Sequence, residues 1–180
     1  WVTRTTGSAA ASLPALASRP RQLLCVSNVT EHKRQHMIIE TVAEMHRRGL
    51  KEVTARIIGK VFSPHYEAHM RSRLEQLGLT HAVTIEGKKS DAEVEAAFKQ
   101  SRCFVFMSVC ESFGIPPLEA MSFGTPVVTS DCCAMPEVCD QAAAYAPMDN
   151  QSALNDAVHR VLTDSTYAGT LRERGLQRVP

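Results

Sequence analysis

The sequence predicts an α/β fold in which a parallel sheet is covered by helices on both faces. From Gln22 onward, short apolar runs alternate with amphipathic stretches, which is the alternation of strands and helices that a parallel sheet requires. Residues 103–107 are apolar at every position, as expected of a strand that is buried on both faces. The length of 180 residues fits one such domain.

The first half of the chain is predicted to contain three strands and three helices. The strands follow the apolar runs at 23–26, 55–58 and 83–85. Apolar residues at helical spacing, stopped by Gly49, predict a helix over 34–48, and a second helix is predicted over 64–77. Ser90 and Glu93 form a capping box that opens the third helix, because their side chains satisfy otherwise unpaired N–H groups.

The second half repeats the pattern. Strands are predicted at 103–107, at 127–128 and near 142–146. Pro116 and Pro117 are tolerated only in the first turn of a helix, so a helix is predicted over 116–123, with Gly124 ending it. A last apolar stripe predicts a helix over 150–162. The arginines beyond it are interpreted as a solvated helix face: Arg172, Arg174 and Arg178.

Composition and motifs exclude several classes of protein. Twenty Lys and Arg against 19 Asp and Glu give a formal charge of +1, which excludes a basic nucleic-acid binder. No apolar stretch approaches the ~18 residues of a transmembrane segment. The absence of G-x-G-x-x-G and G-x-x-x-x-G-K-[ST] motifs argues against a dehydrogenase or a P-loop NTPase. His65 and His69 stand four residues apart, as do His32 and His36, but neither pair has a third ligand, so we expect no metal site.

The cysteines indicate the cellular compartment, and the start of the chain indicates a domain boundary. Six cysteines without a C-x-x-C pair, in a chain of this size, are not typical of a disulfide scaffold, so we expect a cytoplasmic protein. Residues 1–20 contain no acidic residue and are rich in Ala, Ser and Thr. We interpret them as a linker cut from a longer chain, with a transit peptide as the alternative, and residues 21–180 as the domain. The start at Trp1 fits a cut chain.

The predicted site lies after the strand at 103–107. Ligands of parallel α/β sheets bind beyond the carboxyl ends of the strands. Gly114 allows the backbone to approach a ligand closely, and the amides of Phe113 to Ile115 point outward at the start of a helix. Such a helix start favours an anion, and phosphate in particular.

Two carboxylates flank this anion site. Glu111 lies on the loop and Glu119 lies about one turn into the helix; since Pro116 prevents a continuous helix between them, they can converge only from two sides of a crevice. Dinucleotide-binding folds hold a ribose with a carboxylate that accepts two hydroxyls. For Glu119 alone, a favourable charge on the helix dipole is the simpler interpretation. The Gly-Ile-Pro-Pro turn and the second glutamate favour ligand binding.

The run from Glu111 to Glu119, together with 124–128 and 136–138, resembles the Glu-x7-Glu motif of retaining GT-B glycosyltransferases, a family with many bacterial mannosyl- and glucosyltransferases. The resemblance extends over about residues 22–180. It implies the Rossmann-like, donor-binding C-terminal half of a GT-B fold. It also implies an N-terminal domain outside this chain, which would bind a glycan or lipid-linked acceptor and could contact a membrane peripherally.

The resemblance assigns roles to the residues of the motif. It implies that Glu111 contacts hydroxyls of the donor sugar and that Glu119 binds the ribose. The backbone of Ser112, Phe113, Gly114 and Ile115 would hold the diphosphate. The resemblance also implies a catalytic role for Glu111, together with Lys33.

Two further loops also match the family. Lys33 stands where the family has a phosphate-contacting lysine, and the turn at Gly87 corresponds to the segment whose backbone meets the base. Many members have Gly then Arg after the first strand, where this chain has Ser27 and Asn28. Asn28 can donate a hydrogen bond but carries no charge, so the phosphate contact depends more on Lys33.

The resemblance therefore predicts the donor domain of an enzyme that transfers a hexose from a nucleoside-diphosphate sugar. GDP-mannose is favoured over a UDP-hexose, and the donor is a substrate, so no cofactor is expected. The departing phosphate would assist deprotonation of the acceptor hydroxyl. Two alternatives remain, a non-catalytic nucleotide-sugar-binding scaffold and a sugar-nucleotide epimerase of similar architecture.

Overall fold

Six parallel strands form one sheet in the computed structural model, which describes residues 13–111 and 113–179. The strands are β1 (Gln22–Val26), β2 (Thr54–Ile58), β3 (Val83–Ile85), β4 (Cys103–Phe106), β5 (Val127–Ser130) and β6 (Ala143–Ala146). Their order is β3-β2-β1-β4-β5-β6, and every pair is parallel. The chain runs outward from β1 to β3 and then returns to β4 beside β1. The order therefore reverses between β1 and β4, which is where such sheets bind ligands.

Helices cover both faces, which confirms the predicted fold class. They are α1 (His36–Arg47), α2 (Pro64–Gln76), α3 (Asp91–Gln100), α4 (Ile115–Ser122), α5 (Met135–Cys139), α6 (Gln151–Thr163) and α7 (Ser165–Arg178). The first helix begins later than the sequence predicts, because Glu31–Lys33 form a 3₁₀ turn and Arg34 takes a left-handed conformation at φ 52°. The short α5 was not predicted. None of the helices in the described part of the chain has the length and apolar character needed to cross a membrane.

Alternate side chains of the strands pack into two apolar layers. Leu23 and Cys25 of β1 face the layer formed mainly with α1, α2, α6 and α7. Leu24 faces the opposite layer with Phe98 of α3 and Phe104 of β4. Since neighbouring residues of a strand point to opposite faces, a run without polar residues is what this two-sided burial requires.

The arginines of α7 are only partly a solvated face. Arg174 and Arg178 are exposed, yet each donates to backbone carbonyls of other segments. Arg172 donates to the carbonyl of Pro14 at 2.9 Å. The sequence prediction missed these contacts because the acceptors are distant in the chain, at residues 14, 137, 138 and 141.

The buried side chain of Arg19 connects the segment before β1 to the ends of the strands that lie opposite the switch point. Arg19 is 4% exposed. Its guanidinium donates to the Oγ1 of Thr125 (2.9 Å) and to the carbonyls of Phe123 (3.0 Å), Ser101 (3.2 Å), Phe98 (3.4 Å) and Pro14 (3.4 Å). Burial, and then the charges of Arg172 and Arg102, lower the pKa of Arg19 to about 10. Residues 1–12 of the predicted linker lie outside the described residues, and the linker assignment stays a prediction.

Candidate active site

The loops that follow β1 and β4 meet at the switch point. The backbone N–H of Val109, after β4, donates to the carbonyl of His32, after β1, at 2.9 Å. The side chain of Ser108 is buried and donates to the carbonyl of Cys110 at 3.1 Å. The two loops that carry the predicted residues Lys33 and Glu111 are therefore in direct contact.

Lys33 and Glu111 form an ion pair between these loops. The Nζ of Lys33 donates to the Oε1 of Glu111, although the residues are 78 positions apart in the chain. Each side chain is 15% exposed, and the ammonium lies 5.5 Å from the ring centre of Phe106. Both charged groups are largely buried but still open to the crevice. A ligand that enters can therefore replace this ion pair, with its anionic group binding the ammonium and its hydroxyl groups donating to the carboxylate.

The N-terminus of α4 opens beside this pair. Gly114 takes a left-handed conformation at φ 57°, and no side chain among the described residues caps the helix. Phe113 is 68% exposed and Ile115 is 56% exposed, whereas the Gly114 backbone is buried. The helix starts at Ile115, one residue before the predicted start, with its prolines in the first turn as predicted. Pro116 and Pro117 carry no N–H, so the backbone amides that this helix start can offer an anion are those of Phe113, Gly114 and Ile115. Ser112 lies outside the described residues.

Glu119 lies in α4, one turn after its prolines, and is half-buried. Residues three apart on a helix share a face, so Glu119 is on the same side of α4 as Pro116. Pro116 lines a cavity at the carboxyl ends of β1 and β2. Glu119 itself does not line the cavity, so its contact with a ligand stays a prediction, while Glu111 lies at the β1–β4 crevice.

The cavity has a volume of about 380 Å³, within the range of ligand pockets. Its polar lining includes Asn28, which the sequence predicted, and three ammonium groups that it did not: Lys60, Lys88 and Lys89. Phe62, 58% exposed, lines the same cavity. The Nζ of Lys89 lies 3.7 Å from Glu86 and 3.6 Å from Glu93, so part of its charge is already balanced. Together with the other two lysines and the aromatic ring, it can still favour an anion with an attached planar group. Lys60 lies two residues after the end of β2, so the rule that ligands bind at the carboxyl ends of the strands could have identified it.

A buried glutamine shapes the loop that contains Asn28. The Nε2 of Gln35 donates to the carbonyl of Asn28 at 2.8 Å and to the Oγ of Ser27 at 3.0 Å. Gln35 is 0% exposed, and its Oε1 has no hydrogen-bond partner among the described residues. The exposed Asn28 side chain therefore projects from a backbone that is held from inside. The sequence contained no signal for this role of Gln35.

The sequence of this chain matches a known family. A model of the family described as "Glycosyl transferases group 1" matches residues 13–178. The chain belongs to that family. It is 34% identical over 90 residues to the O-antigen chain mannosyltransferase B of Escherichia coli, covering 50% of this chain and 24% of the relative. It is 30% identical over 143 residues to the putative colanic acid biosynthesis glycosyltransferase WcaL of E. coli K12, covering 75% of this chain and 34% of the relative. The chain thus spans a quarter to a third of these relatives.

Solved structures confirm the fold of this glycosyltransferase domain. The C-terminal domain of the group 1 glycosyltransferase LpcC from Francisella tularensis has a TM-score of 0.77 at 18% identity, covering 89% of this chain and 85% of that domain. Anabaena HepE, solved with UDP and glucose, has a TM-score of 0.76 at 22% identity, covering 91% of this chain and 45% of that protein. The chain therefore has the Rossmann-like fold of these GT-B glycosyltransferase structures, as predicted.

In this glycosyltransferase domain, an ion pair supports the turn at Gly87. The carboxylate of Glu86 accepts from the Nε (2.6 Å) and Nη2 (2.9 Å) of Arg56 and from the Oγ1 of Thr84 (2.8 Å). Gly87 has φ 69°, and its carbonyl accepts from Gly59 N–H at 2.8 Å. The Arg56 hydrogen bonds are the main cause that lowers the pKa of Glu86 to about 2, and partial desolvation opposes them.

This pair is expected to stabilise the domain in a pH-dependent way. The folded-state pKa of Glu86 lies below its ordinary value of 4.5, so the stabilisation is complete above about pH 5 and is lost as the pH falls toward 2. In urea unfolding, Glu86→Gln should therefore cost more free energy at about pH 6 than at about pH 2.5. In an Arg56→Gln background this pH difference should shrink. An equal cost of Glu86→Gln at both pH values would contradict the assignment.

Proposed function

We propose that this domain binds the donor of a retaining glycosyltransferase, a nucleoside-diphosphate sugar from which a hexose is transferred to a hydroxyl acceptor. The observation that carries the proposal is the Lys33–Glu111 pair beside the uncapped N-terminus of α4 at the switch point. An anion site and a sugar-hydroxyl acceptor next to each other are what a sugar diphosphate needs.

The three parts of the site suit three parts of the donor. The cavity beside the Gly87 turn takes the nucleoside, and Glu119 accepts hydrogen bonds from the ribose. The amides of Phe113 to Ile115 hold the diphosphate, and Lys33 adds its charge. Glu111 accepts hydrogen bonds from the hexose. This arrangement follows the positions of the cavity, the α4 N-terminus and the ion pair along the crevice.

The chemistry proposed for the site is positioning and charge stabilisation. The acceptor hydroxyl attacks the face of the sugar from which the diphosphate departs, and a diphosphate oxygen takes its proton. Lys33 and the α4 amides stabilise the negative charge that develops on the departing group. No metal or other cofactor belongs to the proposal.

Mannose is the favoured hexose, with GDP-mannose ahead of a UDP-hexose as donor. The similarity to a mannosyltransferase of E. coli supports mannose as the sugar. The UDP bound in the HepE structure supports a uridine-diphosphate sugar as the alternative donor. A glycan or lipid acceptor would bind an N-terminal domain outside this chain. A cytoplasmic location, with peripheral membrane contact through that domain, is part of the proposal, and the six free cysteines fit a reducing compartment.

Calorimetry with GDP, UDP and ADP tests the proposal on the 180-residue chain. One of the three should bind, and Glu119→Ala and Lys33→Gln should each weaken binding by about tenfold, because each removes a charge-assisted hydrogen bond. Glu75→Ala, at an exposed position of α2, is the matched control and should leave the affinity unchanged. A folded sample that binds none of the three nucleotides would refute the donor site.

The contact with the sugar requires a second comparison. Glu111→Gln should weaken binding of the preferred nucleotide sugar more than binding of the corresponding diphosphate, since Glu111 is proposed to contact the hexose alone. Equal losses for both ligands would show that Glu111 acts only by holding Lys33. Transfer or hydrolysis of the donor by a longer chain that contains this domain distinguishes an enzyme from a binding scaffold.

A further inference from the structure

The aromatic ring of Phe62 lines the cavity although most of the ring is exposed. The side chain is 58% exposed, and the other large apolar side chains that are exposed within residues 13–111 and 113–179 are Phe113 and Ile115, at the start of α4. Phe62 shares the cavity with the carboxyl ends of β1 and β2. An exposed ring in such a position offers a flat apolar surface to a planar ligand.

The backbone on both sides of this ring is held in place. The N–H of Val29 donates to the carbonyl of Lys60 at 2.9 Å, and the N–H of Phe62 donates to the carbonyl of Val29 at 3.1 Å. The side chain of Val29 is fully buried. Ser63 then caps α2, with its Oγ accepting from the N–H of Tyr66 at 3.3 Å. The ring therefore projects from an ordered backbone, so little backbone entropy is lost when a ligand stacks on it.

The cavity is positively charged, and one of its ammonium groups lies against the ring. The Nζ of Lys60 is 4.9 Å from the centre of the Phe62 ring. Lys88 and Lys89 also line the cavity, and the lining residues that the structure describes include no Asp or Glu. In the proposed donor the negative groups are the phosphates, which are assigned to Lys33 and the α4 amides. The cations of the cavity therefore face the nucleoside, where an ammonium needs a neutral hydrogen-bond acceptor as its partner.

The bases differ in the group that an ammonium can distinguish. Guanine has a carbonyl at position 6 and uracil has one at position 4, and both carbonyls accept hydrogen bonds. Adenine and cytosine have an amino group at the equivalent position, and this group donates. An ammonium has donors only, so it pairs with the carbonyl and not with the amino group. A base that stacks with an offset on the ring of Phe62 brings its edge within reach of Lys60.

We propose that Phe62 and Lys60 recognise the base of the donor and select a keto base, guanine or uracil, over an amino base. The proposal rests on the function proposed above, because it takes the cavity as the nucleoside site. Phe62 stacks on the base whatever its identity, since every base has a π face. Lys60 donates to the carbonyl oxygen of the base and so supplies the selection.

Calorimetry with two matched pairs of nucleotides tests the proposal on the 180-residue chain. Inosine diphosphate keeps the guanine carbonyl where adenosine diphosphate has an amino group, and uridine and cytidine diphosphate differ in the same way. In the parent chain, the keto member of at least one pair should bind about tenfold more tightly than its amino partner. Lys60→Met should reduce this ratio to less than about threefold. Phe62→Ala should instead weaken both members by about tenfold and leave the ratio unchanged.

Lys51→Met is the matched control for the loss of an ammonium. Lys51 is exposed and lies before β2, at the end of the sheet opposite the cavity, so both affinities should stay at their parent values. Urea unfolding of each variant checks that it is folded.

Three results would overturn the proposal while leaving the donor site intact. These are a parent chain that binds the amino member of each pair as tightly as the keto member, or more tightly, a ratio that falls in Lys88→Met but not in Lys60→Met, and a Phe62→Ala variant with the affinities of the parent. A folded parent chain that binds none of the nucleotides would refute the donor site, and this proposal with it.

Discussion

Replacing Gly59 by alanine is expected to lower the free energy of unfolding by about 3 kcal/mol and to weaken nucleotide binding. A Cβ atom at this position would lie 1.8 Å from the carbonyl oxygen of Ser27, which is backbone and cannot rotate away. Relief requires the ends of β1 and β2 to separate. That movement strains the hydrogen bond from Ser27 N–H to the Ile58 carbonyl (3.0 Å) and the one from Gly59 N–H to the Gly87 carbonyl (2.8 Å).

Gly169→Ala is the matched control for this substitution. Gly169 lies in α7, and a Cβ atom there would meet no atom within 4 Å beyond its chain neighbours and the backbone of its own helix. Alanine should therefore leave stability unchanged or raise it by up to about 1 kcal/mol, through its higher helix propensity. Urea unfolding measures both variants, and calorimetry measures nucleotide binding. A Gly59→Ala protein as stable as the parent would contradict the close approach of the two strand ends.

The fold was predictable because its signals are local. The continuous apolar run of β4 and the capping box of α3 each specify an element from adjacent residues, and both are confirmed. The exceptions are also informative. Arg34 in a left-handed conformation delays α1, and α5 is too short for a periodic pattern. At both places the backbone conformation is determined by the surrounding structure rather than by the local preferences of the residues.

The site was predictable only in part. Glu111 and Lys33 were identified separately, and the sheet topology then brings them together as an ion pair. Lys60 lies two residues after the end of β2, where the topology already predicts ligand contacts. Gln35 is different, because its role depends on carbonyls that only the folded loop presents to it. Single residues with suitable chemistry can be recognised in the sequence, whereas which side chains pair with each other and which are buried depends on the fold.

The burial of Arg19, at the strand ends opposite the switch point, could not be predicted from the sequence either. This residue lies in a stretch that composition assigns to a linker, with no acidic residue nearby in the sequence to indicate a buried partner. In the structure its Nη1 and Nη2 donate to uncharged acceptors in the segments before β4 and β5, while its Nε has no partner among the described residues. The sequence contains no acidic partner that would indicate a buried cation bound by backbone carbonyls. For that reason the hydrogen bonds of Arg19 were not predicted.

Arg19→Met is expected to lower the free energy of unfolding by about 3 kcal/mol. Methionine occupies a similar volume but leaves the Ser101 and Phe123 carbonyls without the donor that they have now. Each buried acceptor that loses its partner costs about 1–3 kcal/mol. The desolvation that lowers the pKa of Arg19 is relieved at the same time, which is why the expected loss is smaller than the sum over all acceptors. Urea unfolding at neutral pH measures the change.

Two further variants separate hydrogen bonding from charge and from volume. Arg19→Lys keeps the charge but cannot reach both sides of the guanidinium fork, so its loss should lie between those of the parent and Arg19→Met. Arg174→Met removes an exposed arginine with one hydrogen bond, to the Gln141 carbonyl at 3.2 Å, and should cost less than about 1 kcal/mol. If Arg19→Met unfolded at the same urea concentration as Arg174→Met, the segment before β1 would not be held by the Arg19 hydrogen bonds.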